Sequence, residues 1–310
     1  MTSPSREPSL DPRTPFTIAD VVAGGHDPRS LRTTRWHRVF RGVYVSADVS
    51  LTLRVRTQAA LLLHQAAAHA SHTTAASLYG IVVPDDPDIH VTVKHQSHRR
   101  FRPGLRPHVR EAGSGRRVVH GIPVSSPLQL FVELAGALPL VEAVVAGDAM
   151  IRLGLVTMQE LREYCDRARG RHSRTSRRVV AYVREGVDSP METRLRMLII
   201  LAGLPEPEVN FKVRDEFGAV LRRLDLSYPV LKMMIEYDGR HHVERVNQWE
   251  SDLERRDEFE SDGWRTLIVT SAGIYGNPEG TLLRIRKALR AKGQRVGRLS
   301  DAWRAHFPPR

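Results

Sequence analysis

The chain of 310 residues carries 47 lysines and arginines against 35 aspartates and glutamates, a formal net charge of +12. That balance makes a polyanion the first partner to consider, nucleic acid or an anionic membrane surface, and 41% hydrophobic residues suffice for two or three cores, since one rarely grows beyond about 250 residues. The single cysteine, Cys165, excludes an intrachain disulfide and a thiolate zinc cluster; no apolar run reaches bilayer length, and nothing near Met1 reads as a signal peptide, so the expected compartment is the cytoplasm.

Residues 1–13 are polar and proline-rich and are expected to form a disordered tail. Thr17 followed by Asp20 reads as a capping box opening a short helix that stops at Gly24-Gly25. Asp27-Pro28 then opens a second helix, with Arg29 and Arg32 three apart on one face and Arg35 just beyond. Trp36 to Val45 is a β-like run broken at Arg41-Gly42. Helix, turn, arginine-bearing helix and hairpin over 14–50 describe a winged helix-turn-helix, with the DNA-binding face on Arg29, Arg32, Arg35 and Arg41. The alternative is a small helical cap with a solvated arginine face.

Residues 51–170 read as one α/β module. Helices are predicted over 56–70 and 72–80, a strand over 88–94, two short strands near 105–110 and 116–124, and helices over 126–135, 138–152 and 157–168. The module holds many histidines, His72, His90 and His108 among them. None pairs in sequence with a carboxylate at metal-ligand spacing, and no chemistry is assigned to them. Cys165, in a helical pattern, reads as a partly packed thiol. The run RARGRHSRTSRR (167–178) reads as a helix start or linker over 171–188, able to contact phosphates or simply to be solvated.

The last domain, 189–294, reads as helix (191–204), three strands (208–215, 220–228, 231–238), helix (246–263), strand (264–270) and helix (279–291), before a tail over 295–310. Here the acids gather. Glu236 and Asp238 lie two apart on one strand and so project to one face. A hairpin near 229–230 brings Asp225 towards Glu236. Unmetallated, such carboxylates raise one another's pKa. A hard divalent cation removes that cost, and Mg²⁺ or Mn²⁺ beside a phosphodiester activates water and stabilises the leaving oxygen. The predicted metal ligands are Asp225, Glu236 and Asp238, and Glu192 offers a further carboxylate. His241 or His242 is placed to act as a base, and Arg255 or Arg256, near Asp252 on the following helix, to neutralise phosphate.

The segments DLSY (225–228), MMIEYDGRHH (233–242) and QWESDLERRDEFESDGWRTLIVT (248–270) resemble a domain related to the very-short-patch-repair (Vsr) endonucleases of the PD-(D/E)XK superfamily. The resemblance covers roughly residues 189–292. It implies a restriction-endonuclease-like α/β fold with Asp225, Glu236 and Asp238 at the site, supported by His242 and Arg256. The superfamily's usual lysine, two residues after the glutamate, is Asp238 here. The stretch FTIADVVAGGHDPRSLRTTRWHRVFRGVYV resembles the winged-helix start of AbiEi-type antitoxins, and HASHTTAASLYGI (69–81) and HGIPVSSPLQLFVELA (120–135) are similar to segments after it in actinobacterial relatives. Glu133 stands where that pattern has an aspartate. This resemblance implies operator DNA and a cognate nucleotidyltransferase-type toxin as partners.

The sequence therefore predicts an α+β, multidomain DNA-binding protein. Its last domain either cuts DNA with Mg²⁺ or serves a repressor or antitoxin as a retired nuclease fold.

Overall fold

A computed structural model describes residues 11–110, 115–239 and 263–308. The chain is mixed α+β and divides into two compact units, residues 1–137 and 138–310. Among the described residues no helix is long and apolar enough to cross a membrane.

The first unit opens with β1 (Phe16–Thr17) and α1 (Ile18–Ala23). The expected capping box is present. Thr17 Oγ accepts from the Asp20 N–H, and the Asp20 carboxylate accepts from the Thr17 N–H at 2.7 Å. The second helix differs from expectation. Pro28–Arg32 is a five-residue 3-10 turn capped by Asp27, not an α-helix. It ends because Thr33 is extended, and only Leu31 is buried to hold it. β2 (Trp36–Phe40) and β3 (Val43–Ser46) form the expected hairpin, and β1 adds to β3. Gly42 occupies the left-handed region, φ 88°, that this tight turn requires. Phe16, Val21 and Leu31 form a small core closed by Trp36 and Tyr44.

The hairpin is also built into the rest of this unit. Phe40 and Val43 pack with Ala59, Ala60, Ile89, Val91 and Leu105 in one continuous core. α2 (Leu53–Leu62) supplies the alanines. The sequence continued this helix to residue 70, but His69–Ala70 is a strand, β4. It sits at the centre of a five-stranded sheet ordered β6-β5-β4-β8-β7, with β5 Ile89–Val93, β6 Leu105–Val109, β7 Arg116–Val119 and β8 Ile122–Ser125. Tertiary pairing on both sides overrides alanine's helix propensity there. α3 (His72–Leu78) follows β4, and α4 (Pro127–Ala137) closes the unit.

The second unit begins earlier than the predicted nuclease-like domain. α5 (Leu140–Arg152), α6 (Met158–Arg167) and α7 (Ser173–Val180), assigned by the sequence to the middle module and its linker, fall within it. The reason is polar as well as apolar. Asp148 on α5 lies 2.8 Å from the Arg196 guanidinium on α8 (Pro190–Leu201), and Glu142 on α5 takes two hydrogen bonds from Arg194. Arg177 in the basic run donates to the Cys165 and Ala168 carbonyls, so part of that run closes the end of α6. Burial pushes the Cys165 thiol up to about 11 and leaves it a packing residue.

The sheet of this unit is ordered β12-β11-β10-β9, with β9 Glu208–Arg214, β10 Val220–Tyr228, β11 Met233–Asp238 and β12 Arg265–Thr270. β9, β10 and β11 are antiparallel in turn, and β12 runs parallel to β11. Leu195, Leu198, Ile199 and Ala202 are all buried on or just after α8, the apolar face expected. α9 (Ser271–Tyr275) and α10 (Pro278–Ala291) complete the layer. The described part of the C-terminal tail packs onto the unit. Trp303 and Phe307 are buried, and the Ser300 N–H donates to the Ala202 carbonyl.

Candidate functional site

Residues Leu226, Ser227 and Tyr228 pair with Ile235, Met234 and Met233. One step further, the same register sets Asp225 opposite Glu236, on one face of the sheet. The turn between the strands is a 3-10 segment, Pro229–Leu231, closed by Lys232 at φ 47°. α8 brings the third acid. Ser189 caps its N-terminus by accepting from the Glu192 N–H, and Glu192 is buried within the first turn. A carboxylate there is favoured by the unpaired N–H groups of the helix start.

Burial and then the negative charges of Glu192 and Glu236 push the Asp225 carboxyl up to about 6, against the pull of the Tyr237 N–H. Asp188 adds to the same field. Its N–H donates to Glu192 Oε2 at 3.0 Å, while its carboxylate takes Arg223 Nη2 at 3.0 Å. In the sequence Asp188 falls at the end of the predicted linker, 171–188, with no role assigned to it. Its proximity to the helix that carries Glu192 is the signal that marks it. Asp238 follows Glu236 on β11, half-buried, in register with Thr270.

A cation faces the acids. Arg222 Nη2 lies 2.6 Å from Glu236 Oε1. Glu236 thus has a counter-charge, while Asp225 takes the backbone N–H of Tyr237. The predicted His241, His242, Asp252, Arg255 and Arg256 lie outside the described residues.

Arg29, Arg32, Arg35 and Arg41 are all exposed. The first two stand on the 3-10 turn, Arg35 just before β2 and Arg41 in the hairpin turn.

A second constellation was not legible. His72, His90 and His108 come together with one ring nitrogen of each within 4.8 Å of the others. β5 and β6 are parallel with His90 opposite Arg106 and Thr92 opposite His108, which puts both histidines on one face. The Ser71 N–H donates to the His90 carbonyl, so α3 starts beside His90 and places His72 there. In the structure one of these histidines meets a carboxylate. His90 Nε2 lies 2.9 Å from Asp86 Oδ2, four residues earlier. The D-x-x-x-H spacing (86–90) carried that signal, masked by the intervening proline that turns the chain. Burial lowers the His90 pKa despite Asp86. Glu133, buried, accepts from the His72 N–H, Ser125 Oγ and Gln129 Nε2, and burial raises its pKa. It caps α3, whose Ser71 makes no side-chain cap.

No known family model matches the chain. It is similar to two uncharacterized proteins of Mycobacterium tuberculosis, MT2308 of strain CDC 1551 and Rv2248 of strain H37Rv. Each is 26% identical over 255 residues, covering 81% of this chain and 92% of the relative.

Proposed function

We propose that the protein binds DNA and hydrolyses its phosphodiesters with a divalent cation held by Asp225, Glu236 and Glu192. The observation that carries this reading is the register of β10 and β11 that sets Asp225 opposite Glu236, with the nearby charge of Glu192 helping to raise the Asp225 pKa. The charges of Glu192, at a helix start, and of Glu236, on the adjacent strand, both act on Asp225, and a hard cation is the simplest charge to relieve them. The order helix, three antiparallel strands and a further strand parallel to the third supports a restriction-endonuclease-like, Vsr-related fold for this unit. Mg²⁺ or Mn²⁺ would polarise the scissile phosphate and lower the pKa of a bound water. On this reading Asp225, Glu236 and Glu192 would be the residues that hold the cation. The net charge of +12 and the exposed arginines of a winged-helix-like start supply the attraction for the DNA backbone.

A second reading is favoured by Arg222, which occupies Glu236, and by Asp238 in place of a lysine. On that reading the chain is an AbiEi-like repressor or antitoxin, partnered by operator DNA and a nucleotidyltransferase-type toxin, and its nuclease-like unit is inactive.

The test is a cleavage assay on supercoiled plasmid, mismatched duplex and single-stranded DNA, with Mg²⁺, Mn²⁺ or EDTA. Metal-dependent cutting, abolished in Asp225→Ala and Glu236→Ala while DNA binding persists, is the expected result. Binding without cutting on every substrate and metal selects the regulator. Normal cutting by both variants removes the site.

A further inference from the structure

We propose that His72, His90 and His108 form a binding site for a transition-metal cation of the Zn²⁺ class, separate from the carboxylate site. Three imidazoles reach one point from three segments: the start of α3, β5 and β6. His90 Nδ1 and His108 Nε2 are 3.0 Å apart. The His72 and His108 rings stack with centroids 3.7 Å apart, and the His90 ring centroid lies 5.0 Å from that of His108.

A tetrahedral cation with bonds of about 2.0–2.1 Å to nitrogen holds its ligand atoms about 3.4 Å apart. The His90–His108 pair is already close to that separation. The whole trio lies within 4.8 Å, and the His72 ring, whose Nδ1 also meets Ser71 Oγ at 3.0 Å, would exchange that contact for the cation. All-imidazole ligation suits Zn²⁺, Ni²⁺, Cu²⁺ or Co²⁺ and not the hard Mg²⁺ that carboxylates hold.

The surroundings have the form of a ligand's outer shell. Asp86 Oδ2 accepts from His90 Nε2 at 2.9 Å, which fixes the tautomer and leaves Nδ1 facing the centre. Glu133 Oε2 stands 3.8 Å from His72 Nδ1. His72 itself sits at φ 50°, a left-handed backbone that is strained for a non-glycine residue. The Glu133 bond to its N–H holds it there. Such strain at a side chain that converges on two others is the pattern of a site held in place by its neighbours. With three protein ligands, the fourth position falls to water, on the side where His72 and His108 reach solvent.

The test uses tag-free, full-length protein stripped of metal by a chelator and titrated with Co²⁺. One equivalent is expected to bind with the intense visible absorption of tetrahedral nitrogen-ligated cobalt, to be displaced by Zn²⁺, and to raise the melting temperature. Asp86→Asn is expected to weaken binding 10–100-fold, the usual effect of removing an outer-shell partner, and His72→Gln and His108→Gln to weaken it further. Circular dichroism of the metal-free variants checks folding; if the histidine variants do not fold, Asp86→Asn decides. No stoichiometric binding by folded wild type overturns the proposal. So does binding unchanged in the cluster variants or lost only in His241→Gln/His242→Gln.

Discussion

Arg222 Nη2 sits 2.6 Å from Glu236 Oε1, on the strand whose Asp225 faces Glu236. On the proposed reading, this guanidinium and the cation would compete for the same carboxylate. Both partners are partly exposed, so the pair is held in a screened environment and is open to exchange.

Removing the guanidinium should strengthen metal binding. Arg222→Ala is expected to bind Mg²⁺ about tenfold more tightly, which is about 1.4 kcal/mol of added stabilisation at saturating cation. Calorimetric titration and the Mg²⁺-induced shift in melting temperature measure it. A weaker or unchanged affinity would mean that Glu236 is no ligand.

The elevated Asp225 pKa makes the second unit's stability fall with rising pH. An acid whose pKa is about 6 folded against 3.8 unfolded holds more protons in the folded state across that window. Its contribution is full below about pH 4 and is lost as pH rises through about 6. Metal-free wild type should lose stability over that range relative to Asp225→Asn, and saturating Mg²⁺ should abolish the difference. Parallel pH profiles of the two proteins in EDTA would contradict the raised pKa.

The buried pair on α5 and α8 holds the helix that carries Glu192. Arg196 is wholly buried, with Nη2 on Asp148 and Nη1 on the Tyr182 carbonyl at 2.8 Å each. Asp148 further accepts from Thr193 Oγ and the Arg184 N–H. Arg196→Met leaves that carboxylate without its counter-ion, and the expected loss is about 3–5 kcal/mol. Urea unfolding measures it. Because α8 also carries Glu192, Mg²⁺ stabilisation should drop in the same variant.

Phosphate binding by the first unit would show in the salt dependence of DNA affinity. Each phosphate that a variant no longer neutralises lowers the slope of log K against log salt by about 0.9. Arg29→Ala and Arg32→Ala should each flatten it by about that amount if they touch phosphate, and relax sequence preference if they touch bases. Fluorescence anisotropy across a salt series separates the two, and unchanged binding by both variants removes this face from the interface.

Local pattern made much of the second unit legible. The periodicity of residues 191–204 set out the buried face of α8, and the two-residue period of β11 set Glu236 and Asp238 on one side. Asp188 escaped because its role depends on α8 turning back onto the sheet, not on its neighbours in sequence. The second helix of the first unit was misread for the opposite reason. Its cap and proline are true start signals, but a single buried residue, Leu31, gives it nothing to extend along.

By itself the sequence determined the α+β class, the capped helix starts and the placing of Glu236 and Asp238 on one side of a strand, because caps, turns and side-chain alternation act within a few residues. Only the tertiary structure decided the boundary at residue 137, the strand at His69–Ala70 and the meeting of His72, His90 and His108. Those depend on which strands pair and on which face a helix returns, and such choices are fixed by burial and hydrogen bonding between segments far apart in the chain.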